Sequence, residues 1–143
     1  MTAFSIDSDD DLLGDNPTDV TTPQARPQAP TQNHFPDVTA FVEVYLSQVY
    51  ARHHHATTPF KWCPWWHRHP EAYSRLTALW QAFEALRLDP GVGGATWWTT
   101  YADPIMTELT SPTGPFHACS TEKHTASKAL PTVAANTKTP AGR

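Results

Sequence analysis

Apolar residues recur at helical spacing in three separate stretches of the chain. In the first stretch they fall at offsets 0, 3, 4, 7, 8 and 11, which is one face of an α-helix. Asp37 suits the start of this helix, and the stripe runs out at Arg52 and the histidines at 53–55. Three adjacent histidines do not converge on one ion, so we interpret them as a solvated helix end. The apolar face consists of Val38, Phe41, Val42, Tyr45, Leu46 and Val49.

The second stretch predicts the clearest helix. Pro70 suits the first helical position, and Glu71 suits the positive end of the helix dipole. The sequence LDPGVGG after Arg87 ends the helix, and Arg75, Gln81 and Glu84 are predicted to be solvated. The predicted buried face consists of Ala72, Leu76, Leu79, Trp80, Phe83 and Leu86.

The third helical stretch lies within TWWTTYADPIMTELTSP. Thr96 is the predicted N-cap, and Pro104 should kink the helix or restart it with Asp103 as a second cap. The three stretches together predict a mainly α fold: a small three-helix domain with irregular, tryptophan-rich connections over residues 35–119. The apolar face of the third helix contains Trp98, Tyr101, Ile105 and Leu109.

Composition separates this domain from two tails. Fifteen of the sixteen aromatic residues lie between Phe35 and Phe116, and only this part of the chain has enough apolar area to form a core. Residues 1–34 form an acidic, proline-rich tail that is predicted to be disordered. Residues 120–143 are small, polar and weakly basic, and are also predicted to be disordered.

Charge and composition disfavour several classes of function. The domain lacks the basic stripe of a nucleic-acid-binding surface, although a DNA-associated factor that uses the basic tail stays an alternative. Neither a secretory signal nor an apolar run of about 18 residues is present, so we expect a cytoplasmic protein that does not bind membranes. Cys63 beside a histidine is the sole nucleophile–base pairing and nothing orients it, so we expect no enzyme activity.

Cysteine and histidine residues form the main candidate metal site. Zinc is bound tetrahedrally by four such ligands, and its two sulfurs would then lie within about 4 Å of each other. The spacing differs from a tight zinc-finger pattern, and a free cysteine is commonly a small buried hydrophobe. Core packing is therefore favoured and no cofactor is expected, with zinc as the alternative. The candidate ligands are Cys63, His67, His69, His117 and Cys119, and the alternative zinc site combines Cys63, His67, His117 and Cys119.

Two pairs of adjacent tryptophans form the candidate interaction surface. Trp65 is followed by Trp66, and Trp97 by Trp98. Adjacent residues on a helix cannot both face one core, so one member of each pair should be partly exposed. Exposed aromatic residues are typical of protein–protein interfaces. The leading hypothesis is therefore a non-enzymatic interaction domain whose partner is another protein.

The motifs of the domain carry a family resemblance. The strings WCPWWHRHPEA, RLTALWQAFEALRLDP, WWTTYADPIMTEL and SPTGPFHAC resemble an uncharacterised family of small actinobacterial proteins, a domain of unknown function. The resemblance covers roughly residues 35–119. It implies no assigned activity, but it implies an accessory role beside mobile and conjugative elements, such as plasmid or integrative-element maintenance or transfer.

Overall fold

The computed structural model describes residues 31–52 and 58–135. Within those ranges it contains three helices and no strand, which confirms the predicted mainly α, three-helix fold. The described residues from 33 onward group into one compact unit. The histidines at 53–55 and residues 1–30 of the predicted tail lie outside the described residues. None of the helices in the described ranges has the length and apolarity that a membrane span requires.

Helix α1 covers residues 38–49 and begins as predicted at Asp37. The Asp37 carboxylate accepts a hydrogen bond of 2.8 Å from the backbone N–H of Ala40, which caps the first turn. Short α-helical turns, Val38–Ala40 and Ser47–Val49, flank a π-helical segment, Phe41–Leu46. The buried face of α1 consists of Val38, Phe41, Val42 and Leu46.

Helix α2 covers Pro70–Leu86, with Pro70 in the first turn as predicted. His69 precedes it in an extended conformation (φ −100°, ψ 110°), because the residue before a proline is excluded from the helical region. The predicted apolar face packs into the core. Ala72, Leu76 and Leu79 are buried, and Trp80, Phe83 and Leu86 are partly buried against them.

Glu84 on α2 was predicted to be solvated, and that prediction is wrong. Its side chain is only 8 % exposed and accepts hydrogen bonds of 2.8 Å from the backbone N–H groups of His34 and Phe35. It also pairs with Arg87 at 2.6 Å. The chain before α1 would otherwise have two unpaired N–H donors against the core, and the Glu84 carboxylate satisfies both.

Helix α3 covers residues 93–109 and starts at Gly93, so the prediction of Thr96 as its cap is wrong. It contains a short α-helical turn, Gly93–Thr96, a π-helical segment, Trp97–Ala102, and a regular segment, Asp103–Leu109. Pro104 lacks an N–H and its ring crowds the preceding turn, and the wider π turns immediately before it provide room. The regular helix therefore resumes at Asp103, but the prediction that Asp103 caps it is wrong, because Asp103 is itself helical and no side chain caps this segment.

The core is rich in aromatic residues that connect all three helices. Neighbouring rings of its central cluster have centroids 5.0–6.2 Å apart. The buried indole of Trp97 donates a hydrogen bond of 3.2 Å to the carbonyl of Leu79, so its polar atom has a partner inside the core. The cluster consists of Phe35, Phe41, Tyr45, Phe83 and Trp97.

Candidate metal centre

Two irregular segments supply four side chains that could hold a metal ion. Cys63 lies in the connection before α2, and His69 lies directly before the first residue of that helix. Pro64 and Pro70 follow these two residues and favour extended backbone at each. Cys119 and His124 lie beyond α3, in a part of the chain without helix or strand. The tertiary fold thus brings together groups that are 50 to 61 residues apart in the sequence.

The four side chains form a compact cluster, which we call the Cys2His2 cluster. One donor atom from each of Cys63, His69, Cys119 and His124 lies within 4.8 Å of the other three. Cys63 Sγ is 3.5 Å from His124 Nδ1, and Cys119 Sγ is 3.4 Å from His69 Nε2. The two imidazole centroids are 4.6 Å apart. Each sulfur therefore faces a ring nitrogen from the other segment.

Both sulfurs also accept backbone hydrogen bonds. The Thr125 N–H donates to Cys119 Sγ at 3.3 Å, and the backbone of Trp65 bonds to Cys63. Donors of this kind favour the thiolate over the thiol. The local chain therefore turns around each sulfur so that a negative charge there would be partly compensated.

Burial disfavours the charged forms of Cys63 and His69 in the absence of a cation. It raises the pKa of the Cys63 thiol to about 11, with a further contribution from the neighbouring Cys119. Burial also lowers the pKa of His69, and the nearby His124 and His117 add to that effect. Neutral imidazoles are ready to coordinate a metal, whereas the thiols must release their protons as the metal binds.

Aromatic packing fixes the orientation of His69. The Phe116 ring meets the imidazole edge-on with centroids 5.1 Å apart. The Trp62 ring also packs on Phe116, with centroids 5.2 Å apart. His69 is buried, and its Nδ1 has no hydrogen-bond partner among the described residues. Among the described residues, the His69 imidazole therefore makes its polar contact through Nε2, which faces the Cys119 sulfur.

The structure places the other candidate ligands elsewhere. His67 lies in the 3₁₀ turn Trp66–Arg68, and His117 Nδ1 is 3.0 Å from the carbonyl oxygen of Gly114. Neither belongs to the Cys2His2 cluster. His69 was among the candidate ligands, whereas His124 was not, because it lies in the segment predicted to be a disordered tail. The spacing Cys119-x4-His124 was the signal that could have identified it.

The tryptophan pairs divide between core and surface. Trp66 and Trp97 are buried, with 4 % and 3 % of their surface exposed, and Trp65 and Trp98 are partly buried. Trp98 packs on Tyr50 with centroids 5.5 Å apart. Trp65 and Trp98 are therefore the two members of the pairs that contribute to the surface.

The fold and the cluster define a small helical domain with four side chains that could hold a metal ion. The chain belongs to the family described as Domain of unknown function (DUF4913), which matches residues 35–139. That match confirms the resemblance to an uncharacterised family. A search of the curated proteins and a search of the solved structures both returned no match.

Proposed function

We propose that this chain is a zinc-binding domain in which the Cys2His2 cluster holds one structural zinc ion. The observation that carries the proposal is the convergence of two sulfurs and two ring nitrogens within 4.8 Å. A tetrahedral zinc ion separates a sulfur ligand from a nitrogen ligand by about 3.6 Å and two sulfur ligands by about 3.8 Å. The sulfur–nitrogen distances of 3.5 and 3.4 Å already match two edges of that tetrahedron.

The composition of the cluster favours zinc over other ions. Two thiolates and two imidazoles are a common ligand set of structural zinc, whereas Mg²⁺ and Ca²⁺ prefer oxygen ligands. The backbone N–H groups that point at both sulfurs are also consistent with thiolate ligands. Buried polar side chains are otherwise costly, and coordination would give all four a strong partner.

The proposed ion would act structurally and not catalytically. A catalytic zinc keeps one position open for water or substrate, whereas four protein ligands complete the tetrahedron. Cys63, His69 and Cys119 are buried, so solvent has little access to the centre. We therefore propose a domain without enzymatic activity, in which zinc supports the fold.

Zinc would connect two chain segments that lie far apart in the sequence. The segment 63–69 leads into α2, and the segment 119–124 follows α3, so coordination closes a loop of more than 50 residues. Binding of zinc to the native state alone adds to stability by mass action. At free zinc 100 to 1,000 times Kd, that stabilisation is about 3–4 kcal/mol.

Metal analysis of the full chain tests the proposal. Protein purified without an affinity tag and under reducing conditions should contain one zinc ion per chain by inductively coupled plasma mass spectrometry. Replacement by Co²⁺ should give the visible absorption of tetrahedral thiolate coordination. His124→Ala should weaken zinc binding by about 10-fold or more, because second-shell losses alone reach that size.

Matched controls come from the histidines outside the cluster. His67→Ala and His117→Ala remove an imidazole from the same two segments, and both should retain one zinc ion per chain. They also test the alternative ligand set that contains His67 and His117. Metal-free wild-type protein would contradict the proposal, and so would zinc loss in these controls with retention in His124→Ala.

A second proposal is that the domain binds another protein through its aromatic surface. Trp98 packs on Tyr50, which also lines a pocket of about 100 Å³. The pocket is mainly apolar, and an apolar side chain of a partner would fit its size. It is lined by Leu46, Ser47, Tyr50, Phe60, Trp62 and Met106.

The two partly buried tryptophans provide a comparison for this second proposal. A partner cross-linked to the full chain in a native lysate should be lost with Trp98→Ala and retained with Trp65→Ala. Equal capture by both variants, with unchanged far-ultraviolet circular dichroism, would contradict binding through Trp98.

A further inference from the structure

We infer that the Cys2His2 cluster is a redox-sensitive zinc clamp: a peroxide links Cys119 to Cys63, zinc leaves, and the chain after Cys119 is released. This inference rests on the proposed zinc site. It begins from the position of the ligands, because one pair lies in the connection before α2 and the other lies after α3, in a segment without helix or strand. The clamp therefore joins the chain that leads into α2 to a segment without regular secondary structure.

The two cysteine residues differ in exposure. Cys63 has no exposed surface, whereas Cys119 is 9 % exposed. A small oxidant such as hydrogen peroxide therefore reaches Cys119 first. Cys63 lies within 4.8 Å of it and is positioned as the resolving thiolate.

The reaction balances without a further oxidant. The Cys119 thiolate attacks one peroxide oxygen, the O–O bond breaks, and a sulfenic acid and hydroxide form. The Cys63 thiolate then attacks the Cys119 sulfur and expels a second hydroxide as the S–S bond forms. Two thiolates have lost two electrons, and one peroxide with two protons has become two water molecules. Zinc loses both thiolate ligands and leaves as the hydrated ion.

Release affects the chain beyond Cys119 more than the rest of the domain. The disulfide keeps Cys119 attached to Cys63, but His124 loses the ion that holds it. The turn between the two ligands is short, with the Ser120 N–H bonded to the Lys123 carbonyl at 2.9 Å. The Lys123 N–H also donates to Ser120 Oγ at 3.0 Å. Opening of this turn should therefore report loss of the clamp.

Two exposed lysines give the test an internal control. Lys123 lies inside the zinc turn, whereas Lys128 lies beyond the last ligand, and both are exposed. Trypsin should cleave zinc-loaded wild-type protein at least 10-fold faster after Lys128 than after Lys123, because local order resists proteolysis. After treatment with hydrogen peroxide, cleavage after Lys123 should accelerate about 10-fold while cleavage after Lys128 changes little.

Four further measurements on wild-type protein follow the chemistry. A zinc-binding dye should detect one released ion per chain, and mass spectrometry should find the Cys63–Cys119 disulfide. Dimedone present during oxidation should label Cys119 before Cys63. Dithiothreitol followed by zinc should restore slow cleavage after Lys123.

The outcomes separate this inference from the zinc proposal. Protein without zinc before oxidation would overturn both. Zinc-loaded protein that retains its ion and both thiols in peroxide would overturn the clamp alone, and so would zinc loss with Cys119 oxidised to a sulfinic acid and no disulfide.

Discussion

The buried carboxylate of Glu84 should be a main determinant of stability, and Glu84→Gln tests this with little change of shape. The carboxylate accepts two backbone N–H groups at 2.8 Å and the Arg87 guanidinium at 2.6 Å. A glutamine offers one acceptor oxygen, and its NH2 group would face a donor. The substitution leaves at least one donor of the chain before α1 unsatisfied and removes the charge that Arg87 pairs with.

The magnitude follows from these contacts. An unsatisfied buried donor costs about 1–3 kcal/mol, and loss of one partner from a largely buried ion pair adds to that. We expect the free energy of unfolding to fall by about 2–4 kcal/mol in urea denaturation at pH 7 with saturating zinc. Glu71→Gln is the matched control, because its pair with Arg75 is 50 % and 41 % exposed and lies on the same helix. That control should lose no more than about 0.5 kcal/mol.

The pH dependence of stability provides a second, independent test of the role of Glu84. Burial acts to raise the pKa of Glu84, but the backbone N–H groups of Phe35 and His34, together with Arg87, outweigh it and hold the pKa below 4.5. A depressed pKa contributes stability that is present above the unfolded value and lost as pH falls through the folded value. The difference between wild type and Glu84→Gln should therefore narrow below about pH 4.5. A loss equal to that of Glu71→Gln, or a difference that widens in acid, would refute this account.

Two further substitutions test the close approach of helices and the aromatic surface. Gly93→Ala places a methyl group against the Leu86 carbonyl and should lower the free energy of unfolding by about 1–3 kcal/mol. Gly94→Ala meets nothing within 4 Å and should be neutral or slightly stabilising, and equal effects in the two variants would contradict the contact. Tyr50→Phe removes the hydroxyl that donates to Asp103 at 2.6 Å and should cost about 0.5–1.5 kcal/mol in the same assay. Burial and Asp103 raise the pKa of Tyr50. The difference between the absorbance titrations of wild type and Tyr50→Phe should therefore show a phenol that ionises well above pH 10, and ionisation of that phenol near pH 10 would contradict the contact.

Sequence periodicity anticipated the helices because each has one apolar face. The spacing of Ala72, Leu76 and Leu79 predicted the buried side of α2, and Asp37 and Pro70 predicted two helix starts correctly. Periodicity was a poor guide where a polar side chain is buried for a specific partner. Glu84 has the sequence character of a solvated residue, and only the chain before α1 supplies the N–H groups that make its burial favourable.

The candidate metal site illustrates the same division. The sequence alone determined that Cys63 and Cys119 are available, that His69 lies at the start of α2, and that proline follows both Cys63 and His69. Those are local properties of short stretches of chain. The partner of each sulfur is a long-range property, since His124 meets Cys63 across 61 positions. Only the packing of α2 against α3 fixes which distant side chains share one small volume, so the tertiary structure decided the composition of the Cys2His2 cluster.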